Sequence, residues 1–128
     1  MGLKVKDLMT TDVIAVGETV KIREAARIML QKGVKSLPIL KGGFYHGMIT
    51  VRDIVRAVLL EKMDPEILNV RDIMDQHPFF VSPDVEVEEA AKIMTKYGVR
   101  HLLVVDGRLV IGIISDRDII DSLLREGD

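Results

Sequence analysis

The sequence predicts an α+β protein: two copies of one β-α-β-β-α unit, packed sheet to sheet about a pseudo-twofold axis. Three observations predict it. The chain aligns with itself without a gap at an offset of 65 residues, Val5–Leu59 falling on Val70–Leu124 with 20 identical pairs over 55 positions. Each copy carries one helical apolar stripe, and each carries one pair of apolar runs joined by turn residues. A unit of about 55 residues buries little surface alone, so the copies are expected to cover one another. The expected boundaries are 4–60 for the first repeat, 61–69 for a linker containing Pro65, and 70–125 for the second repeat.

The elements follow in order. Val13–Val16 and Phe79–Val81 are short apolar runs that suit brief strands. Ile22, Ala25, Ala26 and Met29 stand at i, i+3, i+4 and i+7, one face of a helix, and Val87, Ala90, Ala91 and Met94 repeat that stripe. Gly33 and Gly98 then stand where a helix stops. Leu37–Leu40 and Leu102–Val105 are strand-like runs, followed by the turn residues Lys41-Gly42-Gly43 and Asp106-Gly107. The return runs end at Thr50 and Ser115, which is a hairpin signature. A last helix carries Ile54, Val58 and Leu59 in one copy and Ile119, Leu123 and Leu124 in the other. A right-handed β-α-β crossover would place both helices on one side of each sheet.

Composition narrows the function classes. Of 128 residues, 48% are hydrophobic and 30% charged, which suits a packed core with a solvated surface. The net charge of −2 gives no broad basic surface for nucleic acid. There is no cysteine, hence no disulfide frame, thiolate nucleophile or cysteine metal site. No apolar stretch approaches the ~18 residues of a membrane span, so a cytoplasmic protein is expected. His46, His77 and His101 are the only histidines and lack metal-ligand spacing. Neither a P-loop nor a Gly-x-Gly-x-x-Gly pattern occurs, and no base and nucleophile pair is evident, so no enzyme is expected.

The sharpest chemical signals are Thr50-Val51-Arg52-Asp53 and Ser115-Asp116-Arg117-Asp118. Each falls where a strand gives way to a helix. A hydroxyl followed three residues later by an acid forms a helix N-terminal capping box. The same start leaves amide groups that attract an anion, and a carboxylate there can accept hydrogen bonds from hydroxyl groups. Lys35, Arg100 and His101 follow the first helix of their copies, and Arg52 and Arg117 lie inside the motifs. Beside a phosphate such cations act as charge partners; elsewhere they make a solvated face. Copy one has Lys35-Ser36 where copy two has Arg100-His101, so two pockets built here would differ.

The whole pattern resembles the cystathionine beta-synthase (CBS) domain pair, or Bateman module. The resemblance rests on Val5-Lys6-Asp7-Leu8-Met9 with Val70-Arg71-Asp72-Ile73-Met74, the two Glu-Ala-Ala-x-Ile-Met helices, Gly33-Val34-Lys35-Ser36-Leu37-Pro38, and the two Gly-x-Ile-[Thr/Ser]-x-Arg-Asp-Ile segments. It covers nearly the whole chain. It implies a stand-alone regulatory module binding an adenosyl ligand in clefts between the repeats: AMP, ADP or ATP, with Mg²⁺ accompanying the phosphates, ahead of S-adenosylmethionine. No resident cofactor or metal is implied. One cleft would combine Met9, Asp12, Ile14, Val34 and Lys35 with Ile113, Ser115, Arg117 and Asp118. The other would combine Met74, His77, Phe79, Val99, Arg100 and His101 with Met48, Thr50, Arg52 and Asp53. Plain core packing is the alternative for Met9, Met74, Ile14 and Phe79. The resemblance also implies a disc-like homodimer and a regulated partner protein; the composition leads us to expect no membrane or nucleic-acid partner. The competing reading is an assembly module with empty clefts.

Overall fold

A computed structural model describes residues 2–76 and 79–126. Its elements are α1 (Val5–Leu8), β1 (Val16–Gly17), α2 (Ile22–Lys32), β2 (Ser36–Lys41), β3 (Phe44–Thr50), α3 (Val51–Val55), β4 (Phe80–Val81), α4 (Val87–Tyr97), β5 (His101–Asp106), β6 (Leu109–Ser115) and α5 (Asp116–Glu126). Helix α3 runs directly into a π-helical turn, Arg56–Leu60, and a 3₁₀ turn spans Val70–Asp72. The fold is α+β, with two three-stranded sheets of order β1-β2-β3 and β4-β5-β6. In each, the short strand runs parallel to the middle one and the hairpin partner antiparallel. Both short strands fall later than the apolar runs suggest: β1 holds only Val16 and Gly17, because pairing along β2 is confined to Ile39 and Leu40.

The chain forms two compact units, and they do not follow the sequence repeats. One is contiguous, residues 14–78; the other is composite, residues 1–13 with 79–128. In the contiguous unit Ala25, Met29, Leu37, Ile39 and Ile49 make a core that also takes Val70 and Met74, from the start of the second repeat. In the composite unit Ala90, Met94, Leu102, Val104 and Ile114 make a core that takes Val5, with Leu8 and Met9 packed against it, from the start of the first repeat. Each repeat thus surrenders its first segment to the other repeat's core. Val5 and Val70 are both fully buried.

Backbone hydrogen bonds explain why the exchanged segments stay. The first residues of α2 have no side-chain cap, since Lys21 supplies none. Instead the Ile22 and Arg23 amides donate to the Leu68 and Pro65 carbonyls, each at 3.0 Å, and the Val70 amide donates to Val20 (2.8 Å). The linker therefore lies along the helix start and satisfies donors that would otherwise be orphaned. In the composite unit α4 is likewise without a side-chain cap, and its Val87 amide donates to Leu3 (3.0 Å). The Val5 amide donates back to Val85 (2.8 Å). Both helices end on a left-handed glycine, Gly33 at φ 67° and Gly98 at φ 66°, where a side chain would be strained.

The hairpins match residue for residue. Ser36 pairs with Thr50 and Ile39 with Gly47; His101 pairs with Ser115 and Val104 with Gly112. Both registers slip by one residue just beyond those glycines, a β-bulge at the same place in each copy.

Candidate functional site

The bulge, the glycine and the exchanged segment meet at one point in each unit. In the contiguous unit Met48 and Asp75 exchange both backbone hydrogen bonds, at 3.0 and 2.8 Å. A Cβ placed on Gly47 would stand 2.5 Å from Met74 Sδ and 2.7 Å from the Asp75 carbonyl oxygen. In the composite unit Thr10 and Ile113 exchange the same pair, at 2.9 and 3.0 Å. A Cβ on Gly112 would meet Met9 Sδ at 2.6 Å and the Thr10 carbonyl oxygen at 3.1 Å. Only glycine admits the crossing segment this close to the strand. Met9 and Met74 lie in or against the cores, as plain packing would have them.

Three residues after each glycine the strand ends in a hydroxyl. In the contiguous unit the Thr50 amide donates to Asp53 Oδ2 (2.8 Å), the Asp53 amide donates to Thr50 Oγ1 (3.2 Å), and the Thr50 hydroxyl donates to Asp53 Oδ2 (3.0 Å). In the composite unit the Ser115 amide donates to Asp118 Oδ2 (2.8 Å) and the Asp118 amide to Ser115 Oγ (3.2 Å). Both motifs are therefore formed capping boxes, and both hydroxyls and carboxylates are held rigidly. The Val51 amide donates to the Lys35 carbonyl and the Asp116 amide to the Arg100 carbonyl, both at 3.0 Å. Each basic residue after the first helix is thus tied to the motif of its own repeat.

The units divide the residues predicted from the sequence. The contiguous unit holds Met48, Thr50, Arg52, Asp53 and Met74, together with Ile14, Val34 and Lys35. The composite unit holds Met9, Asp12, Ile113, Ser115, Arg117 and Asp118, together with Phe79, Val99, Arg100 and His101. The backbone pairs described above bring Met74 to the strand of Thr50 and Met9 to the strand of Ser115. Asp12, Lys35, Arg52, Arg100 and Arg117 are exposed, and His77 lies outside the described residues. Ile14 and Val34 pack against one core, Phe79 and Val99 against the other.

Features beyond the sequence reading set the two motifs apart. The Phe79 ring stacks on Tyr97 with centroids 4.6 Å apart, while the corresponding residues of the first repeat, Ile14 and Lys32, cannot stack. Arg56 Nη2 donates to Asp53 Oδ1 at 3.3 Å, and the residue in its place in the second repeat is Asp121. The i+3 spacing of Asp53 and Arg56 was the available signal. Among the described residues no cluster of three or more His, Asp or Glu side chains could hold a metal ion, and no helix is long and apolar enough to cross a membrane.

The CBS domain model matches residues 5–60 and 70–125. The chain is 32% identical over 115 residues to CBS domain-containing protein YhcV of Bacillus subtilis, covering 90% of this chain and 81% of that protein. It is also 32% identical to an inosine-5'-monophosphate dehydrogenase of Korarchaeum cryptofilum, but spans only 23% of that enzyme. Among solved structures it resembles the CBS domain pair of protein MJ0100 in complex with 5'-methylthioadenosine and S-adenosyl-L-methionine. That likeness has a TM-score of 0.87 at 30% identity and covers 94% of this chain and 99% of the other. With two matched domains and two sheets of one topology, the chain belongs to the CBS domain family.

Proposed function

We propose that this chain is a regulatory module that binds an adenosyl ligand at its two Ser/Thr-x-x-Asp motifs and signals occupancy to a partner protein, with no catalysis of its own. The observation that carries the reading is the likeness to the MJ0100 domain pair, a complex with two adenosyl compounds, combined with the presence here of both Thr50/Asp53 and Ser115/Asp118. The hydroxyls would meet phosphate or ribose oxygens, and the carboxylates would accept the ribose hydroxyls. As the residues that meet the ligand we propose Asp12, Phe79, Val99, Arg100, His101, Ile113, Ser115, Arg117 and Asp118 of the composite unit, and Ile14, Val34, Lys35, Met48, Thr50, Arg52 and Asp53 of the contiguous one, together with His77. The ligands proposed are AMP, ADP or ATP, Mg²⁺ entering with the phosphates, and S-adenosylmethionine as the next candidate.

Occupancy can alter the module only if the ligand binds one of its arrangements better than another. A homodimer in the cytoplasm is the proposed context. Exposed apolar side chains on the last helix of each repeat, Leu59 and Leu60 in one and Ile120, Leu123 and Leu124 in the other, favour association. Those side chains also support the second reading, an assembly module without a ligand. A thermal-unfolding screen against AMP, ADP, ATP, S-adenosylmethionine and 5'-methylthioadenosine separates the two. At a hundred times Kd a ligand adds about 2.7 kcal/mol, a rise of several degrees. A rise lost in Asp53→Ala or Asp118→Ala supports sensing. No rise with any compound leaves the assembly module standing.

A further inference from the structure

The two motifs share a capping box but differ in the net charge around it. From Thr50 to Arg56 the first repeat carries two arginines and one carboxylate, a formal charge of +1. From Ser115 to Asp121 the second carries one arginine and three carboxylates, a formal charge of −2. The basic residues tied to the motifs through the backbone, Lys35 and Arg100, contribute one charge each and leave the difference of three intact. The carboxylates differ too. Asp53 is bonded at both oxygens, Oδ2 by Thr50 and Oδ1 by Arg56. Asp118 is bonded at Oδ2 by the Ser115 amide. Its Oδ1 accepts no hydrogen bond among the described residues, because Asp121 stands where the first repeat has arginine.

We infer that the motifs take adenosyl ligands of different charge, with Arg56 and Asp121 as the residues that set the choice. The Thr50 motif takes a phosphorylated ligand, whose negative charge would be met by Arg52 and by Arg56 in competition with its own ion pairs to Asp53 (3.3 Å) and Glu61 (3.7 Å). The Ser115 motif takes an uncharged or cationic one, a nucleoside thioether or sulfonium. Its ribose hydroxyls would find Asp118 Oδ1 open, and a phosphate there would face Asp116 and Asp121. Three exposed charges within a few ångströms to a nanometre, screened by water and salt, change a phosphate's affinity by about tenfold. The inference rests on the proposed reading of the motifs as adenosyl-ligand sites, and it divides that reading between the two repeats.

The test is calorimetric titration of the full chain with AMP and, separately, with 5'-methylthioadenosine. Asp53→Asn should remove AMP binding and spare the thioether, and Asp118→Asn should do the reverse. Arg56→Asp should weaken AMP about tenfold, and Asp121→Arg should create a second AMP site. Both latter substitutions are on exposed side chains, so unchanged circular dichroism and melting would show that the fold persists. Loss of both ligands in the same Asp→Asn variant, or AMP affinity indifferent to residues 56 and 121, overturns the division while leaving adenosyl binding in place. Failure of both compounds to bind the wild-type chain overturns the binding reading itself, and the division with it.

Discussion

Alanine at position 47 puts a methyl group where the structure has room for none. It would lie 2.7 Å from a backbone oxygen, that of Asp75, as well as 2.5 Å from Met74 Sδ. The methionine can swing away, but the carbonyl cannot without moving the segment that carries it. Overpacking of this kind costs about 1–3 kcal/mol. The two Met48–Asp75 backbone hydrogen bonds, each worth about 1 kcal/mol, lengthen or break as the segment retreats. Against that, alanine reduces the entropy of the unfolded chain and returns about 0.5–1 kcal/mol. The net loss for Gly47→Ala is about 2–3 kcal/mol, a fall in Tm of roughly 10 °C for a chain of this size. Gly112→Ala should cost less, about 1 kcal/mol, because its sub-3 Å contact is the flexible end of Met9 and the Thr10 oxygen is 3.1 Å away. Adding Met9→Ala to it should relieve the methionine clash, whereas Met74→Ala should not rescue Gly47→Ala. Urea unfolding followed by circular dichroism gives all four values. A Gly47→Ala protein within about 0.5 kcal/mol of wild type, or one more stable than Gly112→Ala, would refute the reasoning.

Val5→Ala removes two buried methyl groups and should cost about 2 kcal/mol. Hydrogen exchange should quicken in β5 and β6 rather than in β2 and β3, although Val5 belongs to the first sequence repeat; the opposite pattern would contradict the exchanged cores. Thr50→Ala deletes a cap whose oxygen accepts the Asp53 amide, and should cost about 1 kcal/mol with Thr50→Ser nearly neutral, as measured by denaturant midpoint. Tyr97→Ala loses the stack on Phe79 and should cost about 1 kcal/mol beyond the area it uncovers, whereas Lys32→Ala, the corresponding change in the first repeat, should be near neutral. Leu123→Lys with Leu124→Lys should lower the sedimentation mass to that of one chain if the proposed homodimer uses that exposed helix face; an unchanged mass rules that face out.

The duplication was legible because side chains at matched positions do matched work. Ala25 and Ala90, Met29 and Met94, Gly33 and Gly98 pack or turn alike, so identity survives at those places. The hairpin ends and the capping boxes followed from spacing alone, since a hydroxyl and an acid three residues apart at a helix start have one local way to bond. The exchange of first segments was not legible. An apolar pattern such as Val5-x-x-Leu8-Met9 states that one face is buried but not in which core, and the choice depends on contacts nearly a hundred residues away in sequence. The role of Gly47 and Gly112 stayed hidden for the same reason: a strand glycine signals close approach without naming what approaches. The ion pair of Arg56 with Asp53 is local, but a surface pair at i,i+3 is so common that spacing alone does not single it out.

The exchange also sets an order of events while the chain is being made. Residues 14–78 contain everything the contiguous unit needs. It can close on the ribosome once that stretch has emerged, and Val70 and Met74 arrive almost at once after the strands they complete. The composite unit has no such freedom. Its first contributors, Val5, Leu8 and Met9, are synthesised before the contiguous unit, yet the core that buries them is finished only when β6 has emerged. From the synthesis of α1 until β6 emerges, its apolar side chains have nowhere to dock, although the contiguous unit can already be folded. That interval, rather than the finished structure, is when the segment is open to a chaperone, a protease or the corresponding groove of another nascent copy.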